Sequence, residues 1–199
     1  ALEREGWTFA AQPEDAAVLI VNTCGFIDAA RRESIETGLS LRTRFPGSRL
    51  YLVGCLTERY PGELAAEMPE IDGFLGNRDP AGIVDLVEGR IPRGPAPAAA
   101  PLRRARLLSF PGSAYLKVAE GCANRCSYCA IPLIRGDLVS RPRADVVDEA
   151  RGLLAAGARE LVLIAQDLGS YGRDRGAAEL PSLLADLSAL PGAFWVRLL

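Results

Sequence analysis

Residues Ala114 to Arg141 read A-Y-L-K-V-A-E-G-C-A-N-R-C-S-Y-C-A-I-P-L-I-R-G-D-L-V-S-R. The first six residues read as a strand. It feeds directly into a loop that holds three of the five cysteines, Cys122, Cys126 and Cys129, spaced C-x3-C-x2-C. Thiolates are soft ligands that hold iron–sulfur clusters and zinc. Three on one short loop can bind three irons of a cubane cluster and leave the fourth iron without a protein ligand. An open iron can take a substrate, whereas a closed four-cysteine site mainly stores charge or shape. The alternatives at this loop are a structural zinc site or an ordinary surface loop. Zinc normally takes four ligands in closed sites, and the fourth cysteine would have to come from the other half of the chain.

Downstream of the loop, a helix is expected from about Ala144 to Ala156. A strand follows at Glu160–Ala165 (E-L-V-L-I-A), ending at Gln166-Asp167. Gly169 to Gly176 is a polar, glycine-bearing loop, a helix covers about Leu180 to Ala189, and a third strand starts at Ala193. Upstream, Ala16 to Asn22 (A-A-V-L-I-V-N) is a continuous apolar run, as in a strand buried on both faces of a parallel sheet. It ends at Thr23-Cys24-Gly25. A helix is expected from Asp28 to Arg44, with Asp28 as N-cap and Ile35 and Leu39 on one face; Pro46-Gly47 ends it. A second buried strand, Leu50 to Gly54, ends at Cys55. Then come a short helix near Glu63–Glu67, a short strand near Gly73–Gly76 and a helix from about Pro80 to Glu88. This alternation implies parallel strands with right-handed crossovers; no fixed-period repeat accompanies it.

Arg90 to Pro111 contains five prolines together with Arg103, Arg104 and Arg106, and reads as a linker with polyproline character. The domain boundary belongs there. Three βα units cannot close a barrel, and a bare edge strand is a liability. The chain is therefore expected to end inside a larger β/α barrel or sheet and to lack residues at both ends.

A length of 199 residues corresponds to one large or two small domains, and 49% apolar residues suffice for a core. No apolar run approaches the roughly 18 residues of a membrane span. No signal peptide is visible, and the chain starts at Ala1. The net charge of −2 gives no reason to expect bulk affinity for nucleic acid. Lys117 is the only lysine, which with the alanine richness reads as composition bias. Histidine is absent, which removes Ser-His-Asp and Cys-His catalysis and every His-containing zinc site. An odd number of clustered cysteines does not suit a disulfide framework; reduced, metal-binding cysteines in a cytosolic protein fit better.

One pattern recurs. Cys24, Cys55, the Cys122 loop and Gln166 all follow the C-terminal ends of expected parallel strands, where ligand sites of α/β sheets and barrels lie. Cys24 and Cys55 either converge on one site or are two small buried hydrophobes. As a pair they are incomplete for a cluster, and a third ligand would precede residue 1. Tyr128 could pack on a bound adenine or on its own loop. Arg135, Arg141 and Arg143 could meet an anionic ligand or simply face solvent. Gln166 and Asp167 could bind a cofactor, or Asp167 could start a turn.

The C-x3-C-x2-C loop with an aromatic before its last cysteine resembles the radical S-adenosylmethionine superfamily. Six stretches narrow the resemblance: N-T-C-G-F-I-D-A-A (Asn22–Ala30), V-G-C-L-T-E-R-Y (Val53–Tyr60), A-E-G-C-A-N-R-C-S-Y-C-A-I-P-L-I-R-G (Ala119–Gly136), S-R-P (Ser140–Pro142), L-I-A-Q-D (Leu163–Asp167) and W-V-R-L-L (Trp195–Leu199). Together they resemble the methylthiotransferases, and most closely the RimO type, which modifies an aspartate of small-subunit ribosomal protein twelve. Relatives that modify tRNA usually carry Ser in place of Gly25 and Asn in place of Asp167.

The resemblance implies an α/β fold: an N-terminal Rossmann-like parallel domain, then the first part of a radical SAM β/α barrel. Residues 1–92 would be the methylthiotransferase N-terminal domain, truncated at its start. Residues 93–112 would be a linker, and residues 113–199 the radical SAM core, truncated at its end. By the same resemblance, Cys122, Cys126 and Cys129 would bind a 4Fe-4S cluster whose open iron chelates S-adenosylmethionine. One electron would then cleave the sulfonium to a 5′-deoxyadenosyl radical. Tyr128 and Gln166 would bind the cofactor. Cys24 and Cys55 would be two of three ligands to a second 4Fe-4S cluster, which carries or delivers sulfur. The radical would abstract hydrogen from the β-carbon of the target aspartate, a sulfur would be inserted there, and a second S-adenosylmethionine would supply the methyl group. The protein's part is to place cluster, cofactor and substrate.

The implied partners are a ribosomal protein substrate and a single-electron reductant such as a flavodoxin. No membrane is implied, RNA contact would run through a C-terminal domain outside this chain, and the location would be cytoplasmic. The family's first N-terminal cysteine is absent here, so the chain by itself could be inactive. Two rivals remain open on the sequence: a tRNA-adenosine methylthiotransferase, and a non-enzymatic structural zinc or electron-carrying iron–sulfur module. Neither module would release 5′-deoxyadenosine.

Overall fold

A computed structural model describes residues 2–78, 80–90 and 112–199. The chain divides into two units, Ala1–Ala99 and Ala100–Leu199. The expected linker at 93–112 lies almost wholly outside the described residues.

In the first unit, β1 (Val18–Thr23), α1 (Asp28–Arg44), β2 (Arg49–Gly54), α2 (Cys55–Arg59), α3 (Pro61–Glu67), β3 (Gly73–Leu75) and α4 (Ile83–Val87) follow in order. The three strands form one parallel sheet in the order β1-β2-β3; β2 is buried on both faces as expected, whereas β1 is not, because Ile20 is 39% exposed. Leu50 and Leu52 of β2 are essentially without solvent contact and pack with Leu19, Leu56, Leu64 and Ile71. Full burial of one such leucine contributes about 1.5–3 kcal/mol.

Two local expectations need correction. Asp28 is the first helical residue rather than the cap. Ile27 holds the cap position, with no side-chain cap hydrogen bond. Asp28 instead pairs with Arg31 one turn on, where a carboxylate also suits the positive end of the helix. Leu39 is 40% exposed. The face of α1 that meets the sheet runs through Ser34 and Gly38. A Cβ on Gly38 would lie 3.2 Å from the Leu52 side chain, so the missing side chain is what lets the helix come close to β2.

In the second unit, the elements are β4 (Ser113–Lys117), β5 (Ala119–Glu120), α5 (Ile131–Arg135), β6 (Val139–Ser140), α6 (Arg143–Ala155), β7 (Glu160–Ile164), α7 (Leu180–Ser188) and β8 (Trp195–Leu198). Strands β4, β7 and β8 form a parallel sheet in that order. One sheet face meets α6 and α7 through Leu116, Leu161, Leu163, Val146, Leu183 and Leu187, all with no exposure. The expected continuous strand Ala114–Ala119 breaks in two. Val118 still donates to the Ile164 carbonyl (3.0 Å), but its own carbonyl accepts from Arg141 N–H at 2.9 Å. Ala119 and Glu120 then pair antiparallel with Ser140 and Val139. The chain leaves the parallel sheet just before the cysteines, and the S-R-P stretch is what draws it away.

Candidate functional site

Thr23 stands opposite Gly54 in the β1–β2 register. The next residue on each strand is a cysteine, so Cys24 and Cys55 leave the sheet at the same edge. Both are half-buried and neither is in a disulfide. Cys24 N–H donates to Ser34 Oγ at 3.1 Å, and that hydroxyl donates to the Ala30 carbonyl at 2.7 Å. Gly54 has φ +116° and turns β2 directly into α2, which Cys55 opens. A Cβ on Gly25 would lie 2.6 Å from the Cys55 carbonyl oxygen and 2.9 Å from Leu56 N. The backbone after Cys24 is therefore pressed onto the backbone of Cys55.

Cations ring this edge. Arg59 Nη1 donates to the Gly25 carbonyl at 2.8 Å. Its guanidinium lies 5.0 Å from the Tyr60 ring centre, and Arg31 lies over the same ring at 5.6 Å. Asn77, two residues past β3, places its Nδ2 3.4 Å from Cys55 Sγ. The sequence reading missed Asn77, although its place past the third strand at this edge was the available signal.

In the second unit, Gly121 turns the chain out of β5 with φ +73°, and a Cβ there would collide with the Asp137 carbonyl. Cys122 is buried, and its N–H donates to the Gly136 carbonyl at 3.1 Å. Cys126 is exposed and Cys129 half-buried; Cys129 N–H donates to the Cys126 carbonyl at 3.1 Å, closing a turn. The loop is tied at two further points. Arg125 pairs with Asp137 at 2.5 Å, and Asn124 Nδ2 donates to Asp167 Oδ2 at 2.9 Å. Ser170 Oγ donates to the same Asp167 oxygen at 2.6 Å. Asp167 thus does begin a turn, and it also fastens the cysteine loop to the end of β7.

Tyr128 is 89% exposed, so it does not pack on its own loop. Gln166 is exposed at the end of β7. The three arginines are engaged in ion pairs: Arg135 with Glu120 (3.7 Å), Arg141 with Glu149 (2.7 Å) and Arg143 with Asp186 (2.8 Å). Arg141 also donates to the Lys117 carbonyl at 2.6 Å. Its own carbonyl accepts from the hydroxyl of Tyr171, which has no exposure, at 2.8 Å. Burial pushes the Tyr171 phenol above its usual range. The loop expected at Gly169–Gly176 therefore acts as a brace, since Arg175 Nη1 also donates to the Ser140 carbonyl at 2.6 Å.

Among the described residues, no three Cys, Asp or Glu side chains converge as a metal site. The structure delivers donors to two sheet edges without gathering them around a point. The donor chemistry fits soft-metal clusters at both: three thiols on one loop, and two thiols with an amide N–H aimed at one of them. Among the described residues no helix is long and apolar enough to cross a membrane.

A family model described as "Uncharacterized protein family UPF0004" matches residues 1–76. The chain is 44% identical over its whole length to the protein from Geobacter sulfurreducens named ribosomal protein uS12 methylthiotransferase RimO, covering 47% of that relative. It is 46% identical to the protein of the same name from Desulfosudis oleivorans, again over its whole length, covering 48% of it. Among solved structures, it resembles the radical S-adenosylmethionine methyltransferase TsrM from Kitasatospora setae, solved with cobalamin and a [4Fe-4S] cluster bound. The TM-score is 0.55 at 16% identity, over 85% of this chain and 41% of that one. That likeness shows the fold: a Rossmann-like unit followed by part of a β/α barrel. The chain spans about half the length of the curated relatives it matches. Along its entire length, the chain is similar to proteins named ribosomal protein uS12 methylthiotransferase RimO.

Proposed function

We propose that this chain is part of a transferase that inserts sulfur at an unactivated C–H bond and methylates it. The substrate is the β-carbon of an aspartate in small-subunit ribosomal protein uS12. The observation that carries the reading is the placing of two cysteine sets in two successive α/β units: Cys24 and Cys55 just past the ends of paired parallel strands, and Cys122, Cys126 and Cys129 on the loop that leaves parallel strand β4 through the short antiparallel strand β5. Whole-length identity to proteins named for that reaction supports it. Gly25 and Asp167, where tRNA-modifying relatives usually carry Ser and Asn, favour the ribosomal substrate over tRNA.

Residues 1–92 serve as the methylthiotransferase N-terminal domain, 93–112 as a linker and 113–199 as the radical SAM core. Cys122, Cys126 and Cys129 would hold a 4Fe-4S cluster, and Cys24 and Cys55 would hold a second one with a further ligand. When bound, the first cluster supplies the electron that cleaves S-adenosylmethionine. The chain's own residues bind and orient. Gly121 and the Cys122 N–H shape the cysteine loop, and Asn124 and Asp167 fasten it. Tyr128 and Gln166, both exposed, would bind the cofactor. A one-electron donor such as a flavodoxin serves as reductant. RNA contact on the ribosome runs through a domain outside this chain, and the reaction takes place in the cytoplasm.

The test is mass spectrometry of uS12 and tRNA from cells in which the gene for the complete protein is deleted and then restored. Methylthio-aspartate in uS12 that disappears and returns supports the proposal. Methylthio-adenosine in tRNA that does so instead overturns it.

A further inference from the structure

The first sheet sends three residues, not two, to its cysteine edge. Cys24 follows β1 and Cys55 follows β2. In the β2–β3 register Val53 stands opposite Leu75, so Cys55 and Asn77 lie two residues beyond a matched pair on neighbouring strands. Asn77 Nδ2 is 3.4 Å from Cys55 Sγ. Within hydrogen-bond reach of sulfur, that amide can only donate.

Asn77 is held in place from the helix that Cys55 itself opens. The Thr57 hydroxyl lies 2.5 Å from the Leu75 carbonyl and 2.9 Å from that of Gly54. Glu58 lies against Gly76, where any side chain would collide with its carboxylate. Glu58 also pairs with Arg78 at 2.8 Å. The residues on both sides of Asn77 are thus fixed by Thr57 and Glu58, on the first turn after Cys55. Donor and acceptor are linked through Thr57 and Glu58 of α2.

We infer that Asn77 is a positioning residue for Cys55: its side-chain N–H fixes the cysteine sulfur and sets the reduction potential of the metal group held there. The inference rests on the proposed role of Cys24 and Cys55 as cluster ligands. A metal-bound thiolate carries only lone pairs, so it accepts from an amide N–H and is repelled by a carboxylate. A hydrogen bond to a ligating sulfur draws off negative charge and favours the reduced state of the cluster.

The experiment uses the complete protein carrying this sequence, with Cys122, Cys126 and Cys129 changed to serine so that only the edge site holds iron. It is loaded with iron and sulfide without oxygen, and its potential is read by redox titration followed by electron paramagnetic resonance. Asn77→Leu removes the donor. It is expected to keep its iron and to shift the couple negative by about tenfold in the oxidised-to-reduced ratio, or ~59 mV for one electron. Asn77→Asp, nearly the same size, guards against a misfit of leucine and is expected to shift the couple further in the same direction. Asn77→Gln, which returns an amide, recovers part of the shift. An unshifted couple in iron-loaded Asn77→Leu and Asn77→Asp overturns the role of Asn77 and leaves the cluster assignment standing. A parent protein that binds no iron at this edge overturns both.

Discussion

Replacing Gly25 by alanine tests the close approach on which the first cysteine edge depends. The added Cβ would lie 2.6 Å from the Cys55 carbonyl oxygen, 2.7 Å from its carbon and 2.9 Å from Leu56 N. All three are backbone atoms, so no side chain can swing aside. Gly25 has an ordinary φ, so the penalty is one of space and not of backbone conformation. Forcing extra volume into a packed contact costs about 1–3 kcal/mol. In a unit of this size, each kcal/mol lowers the melting temperature by about 4–8 °C. The loop must also lift from α2, which separates Cys24 from Cys55 and lowers iron uptake at this edge. Thermal unfolding followed by Trp7 fluorescence in a Trp195→Phe background reads the first unit alone. Gly47→Ala is the control, because nothing lies within 4 Å of a Cβ at Gly47; it should stay within about 0.5 kcal/mol of the parent. A Gly25→Ala midpoint equal to that of Gly47→Ala would refute the argument.

Asp167→Ala removes the acceptor shared by Asn124 and Ser170 and should speed iron loss from the cysteine loop several-fold on chelator challenge. Asp167→Asn keeps an oxygen for both donors and should hold iron as the parent does; equal loss from both variants would count against the tether. Gly121→Ala places a Cβ into the Asp137 carbonyl at a positive φ and should abolish iron binding at the loop while α6 and α7 retain their circular dichroism. Burial raises the Tyr171 phenol above its unfolded value. The folded state therefore holds the proton longer than the unfolded one, and stability is complete below the ordinary tyrosine range and falls as pH rises past about 10. Tyr171→Phe should flatten that alkaline decline in urea titrations; an unchanged slope would show that the phenol does not drive it.

The strands were legible because V-L-I-V and L-Y-L-V are continuous apolar runs bounded by turn residues; only L-Y-L-V is buried on both faces, since Ile20 of the first run is 39% exposed. Their ends fixed where the cysteines emerge, and hence both candidate sites. Packing between elements was not legible. Leu39 looked like the core position of α1, but the helix sits so close to β2 that only Gly38 fits at the contact. Helix α2 was hidden because C-L-T-E-R is only five residues long and follows β2 without an intervening loop. Asn77 in G-N-R-D-P has the look of a turn, and only the β2–β3 register brings it to the sulfur of Cys55. Likewise, Arg141 offered a free cation on paper, yet folding pairs it with Glu149 and ties it to β4. Such partners are set by tertiary contacts that no local pattern encodes.

The central claim is that Cys122, Cys126 and Cys129 hold an iron–sulfur cluster. The most direct measurement is the iron, sulfide and zinc content of this chain reconstituted without oxygen, beside a variant with those three cysteines changed to serine. The account predicts about four irons and four sulfides at the loop, lost in the serine variant, with no zinc. Stoichiometric zinc without iron, or iron unchanged by the serine replacements, would contradict it.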